Sequence, residues 1–157
     1  MVLTVNERAA SFVRFLDEFA RLRGRIQSAF DAVHVETGLS ELDLVVLNAV
    51  TGAALPPTVP QIGRSLGHAR QVIQRAANSL IERGLIETVP NPDHKRAHRL
   101  VATPDGLALK AEADRAGLAR GAALTLGLEV QTIEQAVGAL RQIRESLETN
   151  LRREGVR

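Results

Sequence analysis

Residues 58–106 read TVPQIGRSLGHARQVIQRAANSLIERGLIETVPNPDHKRAHRLVATPDG. Thr58 with Gln61 three residues on is a capping box, the start of a short helix. Val59, Ile62 and Leu66 form its apolar face, and Gly67 ends it. A second helix runs from about Ala69 to Arg83. At about 100° per residue, Ile73, Ala76, Ala77 and Leu80 fall on one side. Gln71, Gln74, Arg75 and Asn78 fall on the other. One face is built for burial; the opposite face is uncharged-polar with a single Arg. Gln, Asn and Arg are the side chains that pair bidentately with adenine and guanine edges. Gly84 suits the C-terminal cap. Leu85 to Val89 and Arg99 to Ala102 then alternate as two short strands. The nine residues between them include Pro90 and Pro92 and suit a projecting hairpin tip.

Outward from this segment the chain reads as helical. Residues 7–34 repeat Phe12, Leu16, Phe19, Ile26, Phe30 and Val33 at helical spacing, a stripe that needs other helices or a second chain to cover it. Gly38-Leu39 interrupts the pattern. Ser40 is a candidate N-cap for a helix to about Val50, with Asp43 in its first turn. Thr103-Pro104 opens another helix, cap followed by N1 proline, which runs to about Leu126. Gly127 breaks it, and a last helix spans about Val130 to Leu151. The expected fold is mainly α: about six helices and a two-stranded β-hairpin wing, a winged helix-turn-helix. Its DNA-reading lobe is placed at 40–103. A helical dimerisation region is placed at 1–36 and 104–157, within a single domain of 157 residues.

Composition narrows the function. The chain has no Cys, Trp or Tyr and four Phe. Thiolate catalysis, thiol redox sensing and zinc ribbons are thereby excluded, and aromatic stacking platforms for single-stranded nucleic acid are disfavoured. No apolar run reaches the about 20 residues of a membrane span, and the charged start, Met1 to Arg8, does not suit a signal peptide. A cytoplasmic protein with no membrane partner is expected. Formal net charge is only +2, but it is unevenly placed. Residues 60–103 hold seven basic side chains (Arg64, Arg70, Arg75, Arg83, Lys95, Arg96, Arg99) against three acidic ones; the rest of the chain holds thirteen basic and fifteen acidic. A central basic segment in a chain whose remainder is slightly acidic is the footprint of a polyanionic partner.

The segment resembles the MarR family of bacterial transcriptional regulators. The resemblance rests on LIERGLI after the second helix, the D-H-K-R wing tip and the TPDG that opens the next helix, with GLSELDLVVLNAV (38–50) similar to the family's second helix. It implies a homodimer held by the N- and C-terminal helices. It also implies binding to a near-palindromic double-stranded DNA operator, and repression relieved by a small, often phenolic, effector. No enzyme activity, cofactor or metal is expected. The DNA-binding residues expected are Gln71, Gln74 and Arg75 at base edges, with Asn78 peripheral. Arg70 is expected at phosphate, with Thr58 and Gln61 at a helix N-terminus that also suits phosphate. Arg96 at the wing tip is expected near the minor groove, supported by Lys95 and Arg99. Two positions depart from the family pattern. His94 stands where an Asp usually orients the wing arginine, with Asp93 one residue earlier. Ala69 stands where a Ser often starts the reading helix.

Other signals are weaker. Gly63-Arg64-Ser65-Leu66-Gly67 matches G-x-S-x-G, but a nucleophile elbow needs a strand before its Ser. His94 and His98 are spaced i, i+4 in a proline-interrupted loop, which argues against a helical metal site. His34, Glu145 and Glu148 read as surface residues. A protein–protein adaptor on the same scaffold, its DNA binding lost, is the competing reading.

Overall fold

The computed structural model describes residues 5–94 and 96–155. Among these described residues, six helices and one hairpin follow in the order α1 (Val5–Thr37), α2 (Glu41–Thr51), α3 (Val59–Leu66), α4 (Arg70–Glu82), β1 (Ile86–Val89), β2 (Arg99–Ala102), α5 (Pro104–Leu124) and α6 (Val130–Arg153). The mainly α winged-helix architecture is the one the sequence predicts. α1 runs three residues further than the apolar stripe requires, and stops at Gly38, whose φ of +62° favours glycine. Ends shift by a few residues elsewhere: the first strand starts at Ile86, and α5 stops two residues before Leu126.

Local chemistry explains where the elements begin and end. Ser40 caps α2 through a reciprocal box: Asp43 N donates to Ser40 Oγ at 3.1 Å and Ser40 N donates to Asp43 Oδ2 at 3.2 Å. Thr58 and Gln61 do the same for α3, with Thr58 N donating to Gln61 Oε1 at 2.7 Å. Helix α4 closes in a Schellman turn. Gly84 N donates to Ile81 O and Leu85 N to Leu80 O, both at 2.9 Å. Thr103 then anchors the start of α5. Its Oγ1 accepts from Gly106 N at 3.1 Å and donates to Gly84 O at 2.7 Å, so the loop after the wing is stitched to the turn before it.

Strands β1 and β2 pair antiparallel with Ile86 opposite Ala102 and Val89 opposite Arg99. A further connection was not legible in the sequence. Leu100 N donates to Pro57 O at 2.8 Å, and Thr58 bridges Arg99. The wing's second strand is thereby tied on its far edge to the segment that leads into α3.

Compactness divides the chain between Arg120 and Gly121. In the first unit one core joins α2, α3, α4 and the hairpin. Val46, Leu47, Ile62, Ile73, Leu80 and Ile86 lie at its centre, fully buried. All of this core except Leu39 falls in the expected lobe, 40–103, and Leu109 of α5 packs against it. The last turns of α1 enter the buried interior at Val33 and Thr37. Its earlier stripe does not: Phe12, Leu16, Phe19, Leu22 and Ile26 are exposed. The second unit holds the end of α5 and α6. No residue of α6 is buried, and its Val137, Leu140, Leu147 and Leu151 are exposed. No helix among the described residues is long and apolar enough to cross a membrane.

Candidate nucleic-acid interface

Helix α4 is two-faced in the way its sequence requires. Ile73, Ala77 and Leu80 are fully buried and Ala76 nearly so. The two alanines let α4 lie close against its neighbours, since no long side chain holds the helices apart. The opposite face carries exposed Gln71, Arg75 and Asn78 and half-buried Gln74. Gln74 Nε2 donates to Asn78 Oδ1 at 2.9 Å, which orients both amides along the helix. Arg70 is exposed at the first turn. Ala69 holds the extended N-cap conformation (φ −60°, ψ 141°) but offers no side-chain cap. The leading amides of α4 therefore stay available to solvent or to an anion.

At the start of α3 the two expected phosphate contacts separate. Thr58 is buried, and its hydroxyl is occupied by the cap, accepting from Gln61 N and donating to Gln61 Oε1. Gln61 remains exposed. One turn on, Arg64 is exposed and lines a groove of about 640 Å³ between the start of α3 and the base of the wing, with Gln61, Pro60 and Arg99. Arg64 belongs to the basic segment of residues 60–103. Its i, i+3 spacing from Gln61 is the sequence signal that puts the two on one helix face.

The wing contains two different arginines. Arg99 is half-buried and fixed: its Nη2 donates to Asp93 Oδ2 at 2.7 Å and its Nε to Asn91 Oδ1 at 3.1 Å. Asn91 Oδ1 also accepts from Asp93 N at 3.1 Å. Arg99 thus folds the loop back on its own strand instead of reaching outward. Arg96 is exposed at the tip, and its backbone N donates to His94 Nδ1 at 3.3 Å. Asp93, shifted by one position from the family pattern, serves Arg99, while His94 holds the backbone at Arg96. Lys95 lies outside the described residues.

Among the described residues the weaker sequence signals find no supporting geometry. Ser65 lies inside α3, and the residues before that helix form a bridge and a cap, not a strand that ends at the serine. His98 is exposed in the wing, and His94 Nδ1 is engaged by Arg96 N.

Known proteins share both the segment and the fold. Residues 37–97 match the model of the MarR family. An uncharacterized protein of Mycobacterium tuberculosis is 37% identical over 93 residues, which is 59% of this chain. The chain spans 64% of the length of that relative. Among solved structures, a MarR-family transcriptional regulator from Rhodococcus sp. RHA1 superposes with a TM-score of 0.75 at 23% identity, covering 85% of this chain and 93% of its own. CouR from Rhodococcus jostii RHA1, solved bound to p-coumaroyl-CoA, gives 0.73 at 24% identity, covering 83% and 90%. Residues 37–97 thus match the MarR family model, and the chain has the fold of the MarR-family regulators on which it superposes.

Proposed function

We propose that the protein is a sequence-specific, double-stranded-DNA-binding transcriptional regulator. The observation that carries this reading is α4. Its buried face is clamped into the lobe, and its free face offers Gln71, Gln74, Arg75 and Asn78, all suited to base edges in a major groove. Arg96 stands at the wing tip for the adjacent minor groove. Arg70, Gln61 and Arg64 suit the phosphates between. Arg99 supports the wing from within, and Lys95 adds to its charge. The exposed apolar stripes of α1 and α6 need a cover, and a second copy of the chain supplies one. A homodimer would present two α4 helices, which matches a near-palindromic operator.

By analogy with the p-coumaroyl thioester held by CouR, we assign it a small effector, phenolic in character, that relieves repression. The test is fluorescence anisotropy with a duplex selected by the protein from a random library, against a scrambled duplex, at two salt concentrations. Preference for the selected duplex with a steep salt dependence supports the reading. Equal, weak binding to both duplexes refutes it and leaves a protein–protein adaptor as the alternative. Effector screening uses the same assay.

A further inference from the structure

Arg83 sits at the C-terminal cap of α4, on the turn after the DNA-facing stretch. Its side chain turns away from that face, towards the end of α1. Arg83 Nη1 donates to Gly38 O at 2.7 Å, and Nη2 donates to Thr37 O at 3.3 Å. These carbonyls lie at the C-terminal end of α1, where helix carbonyls lack intrahelical donors and the partial charge is negative. A guanidinium there is electrostatically matched and geometrically forked. The receiving end is rigid. Thr37 is buried, and its Oγ1 donates to Val33 O at 2.8 Å. Leu39 N donates to Thr37 Oγ1 at 3.4 Å, and Leu39 is a fully enclosed member of the lobe's core. Gly38 holds a positive φ of +62° and packs beside the guanidinium, its absent Cβ position 3.6 Å from Arg83 Nη2.

We propose that Arg83 is a positioning residue: a two-bonded strut that sets the angle of the reading helix α4 against α1. This rests on the DNA-binding reading above. The base-facing residues Gln71 to Asn78 lie about 7–18 Å along α4 from the strut, at about 1.5 Å per residue. A small rotation at Arg83 is therefore magnified where bases are read. Any partner or effector that moves α1 would move α4 through this contact.

The experiment pairs two readouts on the full-length protein. The chain lacks cysteine, so Ser28→Cys and His68→Cys, both exposed, accept spin labels cleanly. Labelled chains are diluted with unlabelled ones so that intrachain distances dominate. Arg83→Met is expected to broaden the α1-to-lobe distance distribution, and Arg83→Lys, which keeps the charge but not the fork, to broaden it less. An unchanged width in Arg83→Met overturns the proposal. On DNA, Arg83→Met is expected to lower the preference for the selected over the scrambled duplex about tenfold, with the salt slope unchanged. A slope reduced by about one would make Arg83 a phosphate contact and overturn the proposal. So would an equal loss on both duplexes that follows a lowered melting temperature. If the wild-type protein prefers no duplex, the DNA-binding reading fails by itself, and the label distances still decide the strut.

Discussion

Gly106 lies directly beneath the main-chain carbonyl of Leu85. A Cβ placed on Gly106 would overlap the Leu85 oxygen outright and stand 2.9 Å from its carbon. That oxygen also accepts from Thr103 N at 3.1 Å. The TPDG and RGLI segments are thus two halves of one joint, linked by the Thr103 hydroxyl to Gly84 and closed by the missing side chain at Gly106. Backbone, unlike the end of a flexible side chain, has little room to give way. Gly106→Ala should therefore destabilise the lobe by about 3 kcal/mol, the upper end of ordinary overpacking. Gly121→Ala, with nothing within 4 Å of the added methyl, should stabilise its helix by about 0.5–1 kcal/mol. Urea unfolding of the two variants checks both. Equal midpoints would show that the joint yields.

Ala69 offers a gain. Its backbone already holds the extended N-cap geometry, and only the capping oxygen is missing. Ala69→Ser should raise stability by about 0.5–2 kcal/mol. Thermal melts in the absence of DNA measure this directly. A melting temperature that does not rise would mean that the serine hydroxyl does not reach the first-turn amides.

The parts of the fold that were legible in the sequence are those made by neighbours in sequence. Ser40 with Asp43, Thr58 with Gln61, and Thr103 with Gly106 are caps closed over three residues. The two faces of α4 follow from its helical period alone. What escaped notice depends on backbone groups brought together over long separations. The Leu100 N–H to Pro57 carbonyl bond, Arg83 on Gly38 and Thr37, and Gly106 under Leu85 each involve a main-chain atom. Main-chain atoms are the same in every residue and carry no sequence signature. The partners of Arg99 are hidden in the sequence for a related reason. Charge counting treats every arginine alike, and only the folded loop shows that Asp93 and Asn91 hold this one.

The two wing arginines should respond differently. Arg96→Ala should weaken binding to selected and scrambled duplexes alike and reduce the log–log salt slope by up to about 0.9, as one cation fewer displaces counterions from the DNA. Asp93→Ala removes the carboxylate that holds Arg99 but no cationic group. It should loosen the wing and leave the slope no shallower than wild type. Anisotropy titrations across a salt series separate the two. A slope that falls in Asp93→Ala as it does in Arg96→Ala would place the ion pair itself at the phosphates.

Gln74 and Arg75 should govern sequence preference. Replacing either with alanine should cost about 1–3 kcal/mol on the selected duplex, as for a lost bidentate base contact, and much less on a scrambled one. Asn78→Ala should mimic Gln74→Ala in part, because Asn78 Oδ1 holds the Gln74 amide. Repeating the duplex selection with each variant checks this. If the preferred sequence does not change in any of them, α4 does not read bases.

The exposed stripe of α1 yields the last expectation. The rings of Phe12, Phe15 and Phe19 stack in sequence along the helix, with centroids 5.9 and 5.8 Å apart, and Phe12 and Phe19 remain exposed. A single chain that leaves such a ladder open, and α6 with no buried residue, has much apolar surface still to remove from water. At about 25 cal/mol per Å² of buried apolar area, covering what remains exposed of one such ring is worth about 2 kcal/mol. Phe19→Glu puts a charge into that surface, where burial without a partner is costly. The proposed dimer predicts that wild type sediments as two chains and Phe19→Glu as one at the same concentration. The variant's helical content should be retained, since Phe19 lies far along α1 from the lobe's core, which α1 meets at Val33 and Thr37. Specific DNA binding should fall with the dimer, because one chain presents only one α4 to a two-fold site. A Phe19→Glu chain that stays dimeric would move the interface off this stripe.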